Sequence, residues 1–521
     1  MSFMFKLNVW ILLACILVGC NLNASPTETP APLSTATTIP TDVAEVATLA
    51  PTETVTATPT ATNTATVTNT PTVTYTPSIT PTASITPAPN IILNADRVDI
   101  AEIPAFLSDG VSSPLVVFAN GNNQTSITNT ATGEAQNTQQ ILYVTSPGSQ
   151  QRTELLTLES AEGNRFYPAE SGTAIAYFVA NVNPGLYILN ITPVENTTFS
   201  ARLWTTTSLV QRGILSEPVW TSDGENLAVT QQSAYALDIF LYSRDTRQRI
   251  NLTNSPSFDM FPAFSPDGRY MAFVSDRTTC PSWNPADADA CDLVTQETPV
   301  GGTVHLLTLE TGEVRQVSDV FVTEAPRWIN NSRLAIAGGN QTDLLNPQRT
   351  LWLADINTNQ VTQVQLASDD DSVLYLSDAW SPDGQEVIFQ RATTSNTEIV
   401  MMTIDGTVIR RRSDELVFPR FGVRMDWSAS GGRIAIGGTG GRCPYGIRVA
   451  DTTFDWVATG NQPSICNPIF SPDGQNMVYT GVTSDVDGRL DIYSASENGF
   501  SQFNLTANLR GVNTLIGWLG R

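Results

Sequence analysis

The sequence predicts an all-β fold: a single β-propeller of four-stranded blades, eight in number, preceded by a disordered stalk. Three observations carry this. A short segment ending in an aromatic residue runs into a tight polar turn six times, as in Pro262-Ala-Phe-Ser-Pro-Asp-Gly268, Ala379-Trp-Ser-Pro-Asp-Gly384 and Pro468-Ile-Phe-Ser-Pro-Asp-Gly474. Apolar strand-like segments follow these turns at a period of roughly 40–65 residues, the mark of a repeat architecture. Beyond residue 91 short apolar runs alternate with Gly, Asn, Asp and Pro, and no helical period occurs.

The elements follow in chain order. The remaining turns are Pro218-Val-Trp-Thr-Ser-Asp-Gly224, Pro326-Arg-Trp-Ile-Asn-Asn-Ser332 and Met425-Asp-Trp-Ser-Ala-Ser-Gly431. Counting the strand behind each turn raises the number of units to eight, beginning near Leu115, Ala174, Asn226, Tyr270, Arg333, Glu386, Arg433 and Asn476. A second strand follows each, and a short outer strand such as Ile250-Asn-Leu-Thr253 or Phe503-Asn-Leu-Thr506 closes most units. With the aromatic-tipped strand this makes four per unit, one propeller blade. The segment Leu515-Ile-Gly-Trp-Leu-Gly-Arg521 is a further aromatic-tipped strand with no blade behind it, and it is expected to complete the first blade. Pro104-Ala-Phe106 competes for that slot, which leaves seven blades as the alternative count.

Upstream, Met1 to Gly19 reads as a leader: a weakly basic start and an apolar run too short to span a bilayer as a mature helix. Leu17-Val18-Gly19-Cys20 resembles a bacterial lipobox, which implies that Cys20 becomes the acylated N-terminal residue. An ordinary leader with a chance cysteine is the plainer reading. Asn21 follows, where many proteins held in an inner membrane have Asp, and this favours outward display. Residues 20–90 form a linker rich in Thr, Pro, Ala, Val and Ser. That composition cannot bury a core, and its prolines bias it toward extended conformations. Residues 91–521 are assigned to the propeller.

Composition excludes several chemistries. The formal net charge of −23 argues against nucleic acid or an anionic lipid surface as partner. Lys6 is the only lysine and lies in the leader, which rules out a Schiff-base or phosphate-loop lysine. His305 is the only histidine; it lies in a strand-like alternation and is read as an ordinary strand residue. A multi-histidine zinc site is therefore excluded. Cys280, Cys291, Cys443 and Cys466 are disulfide candidates, and four cysteines allow three pairings. A Cys280–Cys291 bond would close one inserted loop, and Cys443–Cys466 would tie two loops within one repeat.

The Pro-x-(Trp/Phe)-Ser-Pro-Asp-Gly turn, the run Ala272-Phe-Val-Ser-Asp-Arg277 and the Asn-Leu-Thr ending resemble the TolB-type propeller repeat over most of residues 210–521. The resemblance is most specific where Ser-Pro-Asp-Gly is intact, at Ser265–Gly268, Ser381–Gly384 and Ser471–Gly474. The family's usual ring implies six blades, so eight is a departure. The Asp-Gly pairs are read as hairpin formers whose central residues need positive φ. Asp267, Asp383 and Asp473 are accordingly read as turn residues and the repeat aromatics as inter-blade core.

Carboxylate clusters are the chemically suggestive constellations. Asp485, Asp487 and Asp491 stand at positions 1, 3 and 7 of a stretch resembling part of a calcium loop, without the bidentate acid of a full one. A solvated turn explains the same residues. Asp287, Asp289 and Asp292, and Asp369 to Asp371, are looser clusters of the same kind. No catalytic residue or cofactor is assigned, calcium aside. The sequence lacks the Asp-box of sialidases, the repeated tryptophan motif of quinoprotein dehydrogenases and the hydrolase domain of prolyl oligopeptidase-type enzymes.

The expected function is a non-catalytic, extracytoplasmic surface lipoprotein, lipid-anchored to the bacterial cell membrane or cell surface, whose ring binds an envelope protein, peptide or glycan. The alternative is a glycan-processing enzyme using paired carboxylates in the propeller mouth. A third reading, an array that spaces or caps surface structures, requires no saturable ligand.

Overall fold

A computed structural model describes residues 114–520, apart from connecting segments at 122–138, 160–162, 182, 195–197, 247, 293–299, 340–349, 365–373, 393–396, 413–422, 439–447, 459–463 and 483–489. It also describes two short strands, Thr86–Pro87 and Arg97–Asp99. The leader, Cys20 and the Pro104-Ala-Phe106 segment lie outside the described residues, as does nearly all of the expected linker.

Most strands fall into an antiparallel meander of four, repeated eight times. Blade 1 contains Leu115–Gly121, Gln140–Thr145 and Arg152–Leu158, and its innermost strand is Val512–Leu519. Blade 2 runs from Arg165–Pro168 to Thr198–Thr205, and blade 3 from Val219–Trp220 to Gln248–Asn251. Blades 4, 5 and 6 open with Asp259–Phe264, Arg327–Trp328 and Leu374–Trp380. Blade 7 opens with Val423–Trp427 and blade 8 with Ser464–Phe470; a single parallel pairing, Gly438 with Cys466, joins their sheets. The eight-blade count therefore holds, and the closing slot belongs to the C-terminal strand.

The second strand of each blade is covered on both sides, which explains its near-continuous apolar sequence. Val116 to Ala119 and Met271 to Val274 are fully buried. Alternate residues of one strand serve opposite neighbours: Val116 and Phe118 pack with Val478 and Ile492 of blade 8, whereas Val117 and Ala119 pack with Ile175 and Tyr177 of blade 2. The core is divided into eight such clusters, one across each blade–blade boundary. No blade could bury both faces alone, so closure of the ring is what completes the core.

The repeat aromatics work at these boundaries. The Trp220 indole N–H donates to the Tyr167 carbonyl of blade 2 at 2.8 Å, Trp328 to Ala263 of blade 4 at 2.9 Å, and Trp518 to Ile469 of blade 8 at 3.2 Å. Each indole thus bonds the innermost strand of the preceding blade. Trp518 does this across the ring closure.

The Asp-Gly turns differ in one respect from expectation. The Gly268 amide donates to the Ser265 carbonyl at 2.9 Å, and only the glycine takes positive φ, 69°. This is a type I turn with Pro at its second position, followed by a left-handed residue, and not a turn with two positive-φ centres. Proline explains the choice, since its ring fixes a negative φ where a mirror-image turn needs a positive one.

Two further strands precede the first blade, one in the expected linker and one at the start of the stretch assigned to the propeller. Thr86–Pro87 pairs with the outer strand of blade 3, and Arg97–Asp99 with the outer strand of blade 2. An outer blade strand leaves one row of backbone donors and acceptors unpaired, and an extended chain can satisfy part of it.

Candidate functional site

The meander gives the ring two ends. At one, the turn end, the first strand of each blade bends into the second, and equivalent turns of neighbouring blades touch. A Cβ on Gly224 would lie 1.7 Å from the Ser171 carbonyl oxygen, and one on Gly474 would lie 3.0 Å from the Ser430 amide. At the other, the loop end, lie the second-to-third strand connections and the crossings between blades.

The turn end uses its carboxylates locally. Ser265 donates to Asp267 at 2.7 Å, and Ser381 and Ser471 donate to Asp383 and Asp473 at 2.5 Å. The Gln385 and Gln475 amides donate to Asp383 and Asp473 at 3.0 Å. The Ser381 hydroxyl and the Gln385 amide hold the Asp383 carboxyl below its ordinary range. These acids form turns.

The innermost strands line the channel and carry ionic groups, mostly tied to the next blade. Arg327 of blade 5 pairs with the buried Asp378 of blade 6, which also accepts the Trp380 indole N–H at 2.6 Å. Arg165 of blade 2 pairs with Glu217, ahead of the blade 3 strand, at 2.5 Å. Asp426 of blade 7 is partly buried and accepts the Phe470 amide of blade 8 at 2.6 Å. Its enclosure by wall atoms raises its pKa to about 6, against the Phe470 bond and the Arg424 charge, and Glu170 of blade 2 adds to the rise.

The loop end of blade 4 holds a second constellation. Asp259, fully buried, receives Arg277 on both oxygens at 2.9 and 2.8 Å. Burial raises the Asp259 carboxyl and the Arg277 charge opposes this. Asp276 accepts the Phe258 amide and the Trp283 indole, each at 2.7 Å, and burial lifts it to about 6 despite both bonds. His305 lies against Phe273 with its Nδ1 3.1 Å from the Thr303 carbonyl, and burial lowers its pKa to about 4. A neutral, buried imidazole cannot serve a solvent-facing nucleophile. The Cys280–Cys291 disulfide, with Cα atoms 5.9 Å apart, closes the loop above this cluster.

Other residues singled out from the sequence are placed as follows. Asp485, Asp487 and Cys443 lie outside the described residues. Cys466 is disulfide-bonded. Asp491 is fully buried, with Thr506 donating to one oxygen at 2.9 Å and Asn504 to the other at 3.0 Å. Asp238 in blade 3 accepts the same bonds from Thr253 and Asn251 at 3.2 and 2.9 Å. The recurring Asn-Leu-Thr segment is thus one half of a lock whose other half is an Asp opening the third strand. Among the described residues, no three metal-ligating side chains gather into a potential ion site.

Sequence reasoning missed the Asp259–Arg277 and Arg327–Asp378 pairs and the enclosed Asp426. Asp276 and Arg277 stood in the quoted repeat run, but their partners are set by pairing between distant strands.

No protein-family model matches the chain. A TolB homolog from Chlorobium luteolum is 35% identical over 107 residues, 20% of this chain and 22% of the relative. A second, from Chlorobium chlorochromatii, is 38% identical over 72 residues, 14% of this chain and 16% of the relative. The chain thus matches about a fifth of the length of these curated relatives or less. Among solved structures, TolB from Acinetobacter baumannii aligns with a TM-score of 0.31 and 16% identity, covering 69% of this chain and 82% of that one.

Proposed function

Starting from a TolB-like β-propeller, we propose that the protein is a non-catalytic binding module of the cell surface, taking an envelope protein, peptide or glycan at the loop end of its ring. The observation that carries this is the commitment of the ring's polar groups to its own structure. Asp259, Asp378, Asp238 and Asp491 are buried and bonded, and His305 is held neutral away from solvent. The turn carboxylates are likewise consumed. What the scaffold leaves available is a rigid rim carrying long connections, the usual place for recognition. The leader, the lipobox-like Cys20 and the disulfides support an extracytoplasmic, lipid-anchored setting.

One observation favours glycan processing as a second reading: Asp426, raised to about 6 by burial, with the charge of Glu170 from blade 2 adding to the rise. A carboxyl with a raised proton affinity suits a general-acid role in glycoside hydrolysis, which needs a second carboxylate as its partner. The two readings part on a glycan and peptide library assayed with the purified chain for both binding and product. Saturable binding without turnover is expected. Turnover abolished by Asp426→Asn overturns the binding reading in favour of the enzyme.

A further inference from the structure

One element stands outside the blade pattern: the two-stranded hairpin Val210–Gln211 and Ile214–Leu215, inserted between blades 2 and 3 at the loop end. Its two faces differ. Ile214 is buried, in one core cluster with Leu237, Phe258, Cys280 and Trp283. Val210 and Leu215, directly opposite one another in register, are 52% and 39% exposed. Two other loop-end segments converge on the same cluster. The turn bearing Tyr235, 46% exposed, leads into Leu237, which bridges to Phe258. The disulfide-closed loop of blade 4 plants Trp283 against Phe258, ring centroids 5.0 Å apart, and anchors its backbone to the Pro256 carbonyl at 2.9 Å.

That loop also carries exposed carboxylates. Asp287 caps it by accepting from Ser282 at 2.6 Å, and Asp289 is exposed. The exposed apolar side chains and the acidic loop thus sit on segments seated on one buried cluster, in a chain whose formal net charge is −23. Charge complementarity selects the occupant: apolar side chains to cover Val210, Leu215 and Tyr235, and cationic ones to meet the acidic loop.

We propose that this platform on the rim of blades 3 and 4 docks a cationic amphipathic segment of a partner protein. The inference rests on the binding reading above and specifies the partner's chemistry.

The test is fluorescence polarisation of the purified chain with a short labelled peptide alternating Leu and Arg. Peptides alternating Leu with Glu, and Ser with Arg, serve as comparisons. Saturable binding of the Leu–Arg peptide is expected, at least tenfold weaker for the other two. Val210→Ser combined with Leu215→Ser is expected to weaken it at least tenfold, and Asp289→Asn a few-fold with a shallower salt dependence. Phe500→Ser, an exposed apolar residue at the turn end, is expected to leave it unchanged. Tyr235→Ser repeats the apolar test without touching the hairpin, and circular dichroism checks each fold.

No binding by the Leu–Arg peptide overturns the inference. So does equal binding of either comparison peptide, or binding indifferent to both the hairpin and Tyr235 substitutions in folded protein. If library binding persists while this peptide fails, the docking inference falls and the broader binding reading stands.

Discussion

Asp491→Ala tests the lock that ties the third strand of blade 8 to the blade's outer edge. The side chain is fully buried and receives Thr506 Oγ1 at 2.9 Å and Asn504 Nδ2 at 3.0 Å, while the same Thr506 oxygen accepts the Ile492 amide at 3.0 Å. Removing the carboxylate takes the acceptor from the buried Thr506 hydroxyl and the partly buried Asn504 amide, and from the longer Asn513 contact at 3.5 Å. Each buried donor without a partner costs about 1–3 kcal/mol, so the substitution should destabilise by about 3–5 kcal/mol. Asp491→Asn keeps the shape but turns one acceptor into a donor facing Asn504, and should cost about half as much. Urea unfolding, monitored by tryptophan fluorescence with and without calcium, is the assay. A loss below about 1 kcal/mol for Asp491→Ala would refute the lock. The equivalent Asp238→Ala, five blades away in chain order, should cost a similar amount, and the two losses should add.

Three further outcomes follow from the same structure. His305 has its pKa lowered to about 4 from 6.5, so folding opposes its protonation: its contribution is intact above about pH 6.5 and is lost as pH falls toward 4, about 3 kcal/mol in all. His305→Gln should remove that acid-side loss; Asp276 acts in the opposite direction over part of this range, so the readout is the difference between variant and parent across pH. Trp518→Phe should cost about 1 kcal/mol for the lost bond to Ile469, and Trp518→Ala about 3–5 kcal/mol, read as a lowered thermal midpoint. Gly224→Ala should destabilise more than Gly431→Ala: both have positive φ, but a Cβ at 224 would lie 1.7 Å from the Ser171 carbonyl, whereas at 431 it meets only Pro382 at 3.8 Å.

The ring was legible in the sequence because its defining feature is local and repeated. Ser-Pro-Asp-Gly writes a turn within four residues, the buried second strand shows as an apolar run, and the unpaired Trp518 segment points to an incomplete blade. Other features depend on strands far apart in the chain. Nothing near Asp259 announces that Arg277, across a hairpin, will neutralise it, or that Glu170 will act on Asp426 from blade 2. Asp491 illustrates the hazard of reading only forward from neighbours: the stretch containing Asp485 and Asp487 suggests an ion loop, while the partners holding Asp491 are Asn504 and Thr506, in the next strand. The hairpin at Val210–Leu215 escaped because two-residue strands carry too little periodicity to stand out.

The central structural claim is a rigid ring of eight blades shut by Val512–Leu519, since loop-end recognition presupposes a fixed rim. Amide hydrogen exchange of the whole chain tests it most directly. If the account holds, the amides of Val512–Leu519 bonded to Leu115–Gly121 exchange as slowly as the second strands of blades 4 and 8, opening only with the whole ring. Exchange of Val512–Leu519 orders of magnitude faster than those strands, with blade 1 otherwise protected, would contradict closure.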